Sequence, residues 1–225
     1  MGSEMCIRDS YNNVQTIGTI TGNYENDSNA SIFPYIGGIV GVNVGTVKNC
    51  FNKGIVTVDM GTNTSGNSYT GGIAGNNQKT IDSCYNAGNI NGGSTRDAVA
   101  GGIVASNTGT VSNSYNIAKV EVKASERQND FCSGIVGYNR KTGKITNTYN
   151  IGTIVGGNTR GGISQAYLDL TGTVNNSYYL NTCGATGLGT SKTSTELKSL
   201  AGTLGSAFKK DSSNINGGYP ILSWQ

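Results

Sequence analysis

The sequence predicts an all-β fold: a right-handed parallel β-solenoid (β-helix-like) of about five coils, with a short C-terminal capping helix and strand. Three observations predict it. Of 225 residues 35 are Gly, only 35% are hydrophobic and 13% are charged, which is too little apolar material for a thick core. A Gly-Gly-Ile signal recurs at intervals of 28 to 34 residues, a period that belongs to solenoids and arrays. The runs between these signals are short, β-branched or aromatic, and bounded by Gly, Asn and Thr, with no helical period. Disorder is not favoured, because the chain has 12 Tyr and a net charge of only +3.

At the N-terminus, Glu4 to Ser10 read Glu-Met-Cys-Ile-Arg-Asp-Ser, which matches the translation of a transposase adapter found in metagenomic assemblies. Residues 1–9 are therefore expected to be adapter-derived and to stand outside the fold. Native sequence is expected to begin near Tyr11, inside a repeat. Ser10-Tyr11-Asn12 then reads as the stub of an earlier copy, with more of the parent protein upstream.

Residues 10–183 form the repeat region. The signal stands at Gly37-Gly38-Ile39, Gly71-Gly72-Ile73, Gly101-Gly102-Ile103, Ser133-Gly134-Ile135 and Gly161-Gly162-Ile163. A polar turn follows, often Gly-Thr, and then a second run: Val47 to Asn52, Ile81 to Asn86, Val111 to Asn116, Ile145 to Asn150 and Val174 to Tyr179. A third strand is expected after it, as in Ile55 to Val58 or Ala118 to Val122. One unit cannot bury its apolar side alone, so units stack at about 4.8 Å and like residues form ladders. The crossover rule favours a right-handed coil. Insertions are expected in the connector before each Gly-Gly, longest at Asp59 to Thr70 and Ala124 to Cys132.

Four columns follow from the stacking. Gly38, Gly72, Gly102, Gly134 and Gly162 form a structural ladder. Asn49, Asn113, Asn147 and Asn176, with Ser83 as the exception, form a second, because Asn tolerates a left-handed corner and stacked amides satisfy one another. Phe51, Tyr85, Tyr115, Tyr149 and Tyr178 form an aromatic column. The period of two puts Val47, Asn49 and Phe51 on one strand face, so the preferred expectation is that these rings fill the coil. The alternative is an exposed ligand stripe of Tyr85, Tyr115, Tyr149 and Tyr178 with Asn86, Asn116 and Asn150 as hydrogen-bond partners for sugars. In the fourth column Cys50 and Cys84 align with Ser114, Thr148 and Ser177; this reads as a steric slot for small residues, with a disulfide as the alternative.

From residue 184 to 225 the pattern changes. Thr193-Ser-Thr-Glu196 is a capping box opening a helix with Leu197, Leu200, Ala201 and Leu204 on one stripe. Pro220 then marks an edge strand, and helix and strand together are expected to cover the last coil.

Composition also narrows function. The chain has no His, which removes His-dependent triads and the usual zinc sites. Its 16 Lys and Arg form no basic stripe, so nucleic acid is not an expected partner, and no apolar run approaches a membrane span of ~18 residues. Asp27, Asp59, Asp82, Asp97, Asp130 and Asp169 do not recur at one repeat position, so no carboxylate pair for catalysis is expected. No metal, cofactor or enzymatic activity is expected.

The ordered pattern Gly-Gly-Ile-Val-Gly, then Gly-Thr-Val, then a small residue before Tyr resembles the GLUG repeat of bacterial surface proteins and of the repeat regions of some immunoglobulin A peptidases. The resemblance runs from about Tyr11 to Tyr179, and Asn216 to Trp224 is similar to segments that close such arrays. It implies a secreted or cell-surface bacterial location, a parallel β-helix-like stack and no catalytic role for the repeats. The expected function is a spacer or adhesive surface, or alternatively a carbohydrate-binding module. Expected partners are a host or microbial surface glycan or protein, and the flanking modules of the same parent chain.

Overall fold

The computed structural model describes residues 33–60, 66–94, 96–123, 129–166 and 172–225, and the backbone of Cys6–Ile7, Tyr11–Asn12, Gln15–Thr16 and Ile20–Asn23. Much of the adapter-like segment and parts of both long connectors lie outside these residues.

Between coils the strands pair parallel, and from Tyr35 to Leu180 each pairing joins a residue to its counterpart one repeat away. Four sheets result. The first stacks Tyr35–Gly37, Ser68–Gly71, Ala98–Gly101, Phe131–Ser133 and Thr159–Gly161; the second stacks Val40–Asn43, Ala74–Asn77, Val104–Asn107 and Val136–Asn139, with Cys6–Ile7 at its edge. The third and longest holds Thr46–Lys48 with Phe51–Asn52, Thr80–Asp82 with Tyr85–Asn86, then Thr110–Asn116, Lys144–Asn150 and Thr173–Leu180. The fourth stacks Ile20–Asn23, Val56–Asp59, Ile90–Gly92, Val120–Val122 and Ile154–Gly156. The described chain therefore makes four complete turns, from Tyr35–Gly37 to Ile154–Gly156, with a partial turn before them and another after, since no strand of the fourth sheet follows Thr173–Leu180.

The core is a thin pillar of columns. Ile39, Ile73, Ile103, Ile135 and Ile163 form one, Val47, Ile81, Val111 and Ile145 a second, and Val56, Ile90, Val120 and Ile154 a third. Burial of each such side chain contributes about 1.5–3 kcal/mol, so length of stack substitutes for thickness of core.

Two expectations are corrected, the position of the N-terminal stub and the pairing of the final strand. The register sets Tyr11 across from Val47, and it is Gln15 that stands across from Phe51, so Ser10-Tyr11-Asn12 is out of step with the Tyr-Asn position. The last coil is continued by residues 183–192, while the helical segment covers it as expected: Leu197, Leu200 and Leu204 share a cluster with Tyr178 and Leu180, and Asn176 Nδ2 donates to the Thr203 carbonyl at 2.8 Å. The amide of Ile154 donates to Cys183, that of Gly162 to Thr186, and Thr190–Lys192 adds a parallel strand to Tyr178, Tyr179 and Leu180. The final strand, Ile221–Leu222, pairs antiparallel with Phe208–Lys209 and joins no solenoid sheet.

The capping box forms as its residues dictate, with Thr193 and Glu196 bonding reciprocally at the start of α1 (Ser194–Lys198). The single helix expected there is split into α1 and α2 (Ala201–Leu204), and Gly205, at φ 100°, ends the second. Two Gly in so short a stretch leave too little propensity to hold one continuous helix.

Candidate functional site

The aromatic column is where structure and sequence part company. Val47 points into the coil, but Asn49 has φ 51°, in the left-handed region. That corner resets the alternation of faces, so Cys50 and Asn52 point inward and Phe51 outward. Ser83, Asn113, Asn147 and Asn176 hold the same conformation at φ 54°, 48°, 52° and 44°, and the rings after them follow suit. The expectation that the rings fill the coil is thus wrong: a strict period of two does not pass through a left-handed residue.

Outside the coil, Phe51, Tyr85, Tyr115 and Tyr149 stack with centroids 5.0, 5.1 and 4.9 Å apart and planes within 6° of parallel. They are not an exposed stripe either. The C-terminal segment folds back along the flank and covers them, with Leu197, Leu200, Leu204, Phe208 and Leu222 in the same cluster. Tyr149 is completely buried; its hydroxyl donates to the carbonyl of Pro220 and accepts from Asn216 Nδ2 at 2.7 Å. The Tyr115 hydroxyl donates to Gln225 Oε1 at 2.9 Å. Trp224 stacks 6.3 Å from Phe51 and lies tilted by 30° at 6.0 Å from Tyr85, and its indole N–H donates to the Ser83 carbonyl at 3.0 Å. Burial pushes the Tyr115 and Tyr149 phenols well above their ordinary value. Tyr178 is half-buried and donates to Asn176 Oδ1 at 2.7 Å.

The Asn partners proposed for a ligand are turned inward. Asn52, Asn86, Asn116 and Asn150 are fully buried, and each of the first three donates to the next at 2.8, 2.8 and 2.9 Å. Each amide also brackets its own corner: Asn116 Nδ2 donates to the Ala118 carbonyl at 2.9 Å, and the Ala118 amide donates to Asn116 Oδ1 at 3.3 Å. The Gly ladder explains itself here. A Cβ on Gly38, Gly72, Gly102 or Gly134 would collide with the glycine carbonyl one coil on and with the Asn amide behind it. In the fifth coil the ring of Tyr179 replaces that Asn and lies against Gly162.

A second inward ladder escaped sequence analysis. Asn43, Asn77, Asn107 and Asn139 are fully buried and linked at 2.7, 2.8 and 2.9 Å. Its signal was present: each lies six residues after the first residue of its Gly-Gly or Ser-Gly pair.

On the outer surface the left-handed corners form a polar chain. Asn176 Nδ2 donates to Asn147 Oδ1 at 2.7 Å, Asn147 to Asn113 at 3.1 Å, and Asn113 to Asp82 Oδ1 at 2.7 Å. Lys48 pairs with Asp82 at 3.3 Å. Partial burial would raise the Asp82 carboxyl, but the bonds from Asn113, Ser112, Lys48 and Ser83 outweigh it and hold the pKa below the ordinary value. Among the described residues no group of three or more Cys, Asp or Glu could hold a metal ion, and no helix is long and apolar enough to cross a membrane.

These features define the chain as a parallel β-solenoid with internal Asn ladders and a flank sealed by its own C-terminal segment. No protein-family model matches it, and no curated protein does. A similar solved structure is that of a "putative immunoglobulin A1 protease" from Bacteroides ovatus, with a TM-score of 0.58 and 20% identity over 92% of this chain and 75% of that one. At that identity the likeness shows the fold.

Proposed function

We propose that the chain is a non-catalytic repeat scaffold of a secreted or cell-surface bacterial protein, acting as a spacer or adhesive surface between neighbouring modules. The observation that carries this reading is that the recurring polar and aromatic side chains bond to one another. Both inward Asn ladders are buried, and the rings of Tyr115 and Tyr149 are covered by the C-terminal segment. A surface evolved to hold a ligand leaves such groups unsatisfied until the ligand arrives. Placement outside the cell rests on the GLUG resemblance alone.

The alternative, a carbohydrate-binding module, is confined to the half-buried ends of the aromatic column, Phe51 with Trp224 at one end and Tyr178 at the other. Proteolysis, which the name of the Bacteroides ovatus protein raises, has no support in the disposition of the described acids. Two assays on the whole chain separate the readings. On a glycan array the scaffold reading expects no sugar whose binding is lost in Phe51→Ala or Tyr178→Ala; such a sugar would establish the module. Incubation with immunoglobulin A1 is expected to leave it intact, and cleavage would overturn the proposal.

A further inference from the structure

Cys50 and Cys84 stand at one position of successive coils. The ladder sets Phe51 across from Tyr85 and Asn52 across from Asn86, so the residues just before them face the same gap between coils. Adjacent strands lie about 4.8 Å apart, within the ~4.4–6.8 Å Cα separation that a disulfide bridges. Both side chains point into the core and are fully buried. Elsewhere in this column the γ atoms of neighbours meet directly: Thr148 Oγ1 donates to Ser177 Oγ at 3.0 Å. The same side-chain direction points both thiols into the coil, where Cys50 Sγ donates to the Lys48 carbonyl at 3.0 Å and Cys84 Sγ to the Asp82 carbonyl at 3.2 Å. Burial pushes the Cys84 thiol up, and the adjoining Cys50 pushes it further, so the folded thiol is a poor nucleophile. Bond formation therefore belongs to folding, before the coils close.

We propose that Cys50 and Cys84 form a modification site, a disulfide that closes during folding in an oxidising compartment and staples the first described coil to the second. Two S–H bonds break and one S–S bond forms; the two electrons and two protons pass to a low-molecular-weight disulfide such as oxidised glutathione, which leaves as two thiols. The staple spans the connector from Asp59 to Thr70, among the longest in the repeat region, where an untied coil loses most loop entropy on closing. Cys132 and Cys183 serve as controls. The in-register neighbours of Cys132 are Ala100 and Arg160, and burial pushes its thiol to about 12.

The test uses the whole chain, refolded with reduced and oxidised glutathione, then denatured and labelled with N-ethylmaleimide. Of 5 Cys in the sequence, 5 label after reduction, and about 3 are expected to label without it. A tryptic digest should join the peptide Asn49 to Lys53 to the peptide Thr80 to Arg96. Reduction should lower the melting midpoint by roughly 5–10 °C, and Cys50→Ser/Cys84→Ser, which copies Ser114 and Ser177, should melt alike with and without reductant. Full labelling of the refolded chain, a bond through Cys6, Cys132 or Cys183, or a melt of the wild type unmoved by reductant would overturn the proposal. The labelling stands even if the serine variant does not fold.

Discussion

Asn116 sits in the middle of a buried ladder, and its amide serves three neighbours at once. It accepts from Asn86 and from the Ala118 amide and donates to Asn150. Asn116→Ala strands those groups in the core, and the expected loss is about 2–3 kcal/mol by denaturant unfolding, with no comparable loss for a substitution at the exposed Lys123. Carboxylates set the acid limit. Asp82, Asp211 and Glu196 all titrate below their ordinary values of 3.8, 3.8 and 4.5, with Glu196 at about 2 through its bonds to Thr193 and Lys192. At Asp211 burial acts upward, and the amides of Asn216, Ile215 and Gly218 outweigh it. Their folded-state pKa values are depressed, so the stability they add is complete above the unfolded values and lost as pH falls toward 2. The tyrosines set the alkaline limit with the opposite sign. Tyr115 and Tyr149 are raised above 10.0, so their contribution is whole below that pH and lost as pH rises past it. Midpoints measured from pH 2 to 11 should form a plateau falling at both ends, and tyrosinate absorbance of these two rings should appear only with unfolding; normal titration at 10 in the folded chain would contradict the buried column.

Among elements, the C-terminal segment does two separable jobs. Its capping box orders α1 locally, and Thr193→Ala should cost about 1 kcal/mol without disturbing the coils, as amide exchange resolved along the chain would show. The distal part touches several coils: Pro220 and Asn216 at Tyr149, Gln225 at Tyr115, and Trp224 at Tyr85 and Phe51. Trp224→Ala removes the only Trp of the chain and should cost about 2–4 kcal/mol, most of it felt in the coils of Phe51 and Tyr85. Equal loss of exchange protection in the coil of Lys144–Asn150 would argue against that placement.

For the whole molecule, a solenoid couples each coil only to its neighbours, and such stacks are prone to fray from one end. The folded-back segment adds contacts that run along the axis and skip over coils. Removal of residues 206–225 is therefore expected to turn one unfolding transition into a broader or stepped one, with the coil of Phe51 melting first. A deletion variant that unfolds in a single sharp transition would show that the coils cooperate without the strap.

The repeat, the parallel stacking, the Gly and Asn columns and the capping box were legible in the sequence, because each depends on a residue type recurring at one position or on contacts within a few residues. Asn49 to Asn176 marked the corners for the same reason: their side chains favour the left-handed conformation that the backbone adopts there. What those corners did to the face of Phe51 and its successors was not legible, since an alternation rule assumes extended backbone throughout. Nor was the return of Trp224 to Ser83, a contact across 141 positions. Contacts that distant in the chain leave no periodic trace, and only the folded chain decides that the aromatic column is neither core nor open surface but the seat of its own C-terminus.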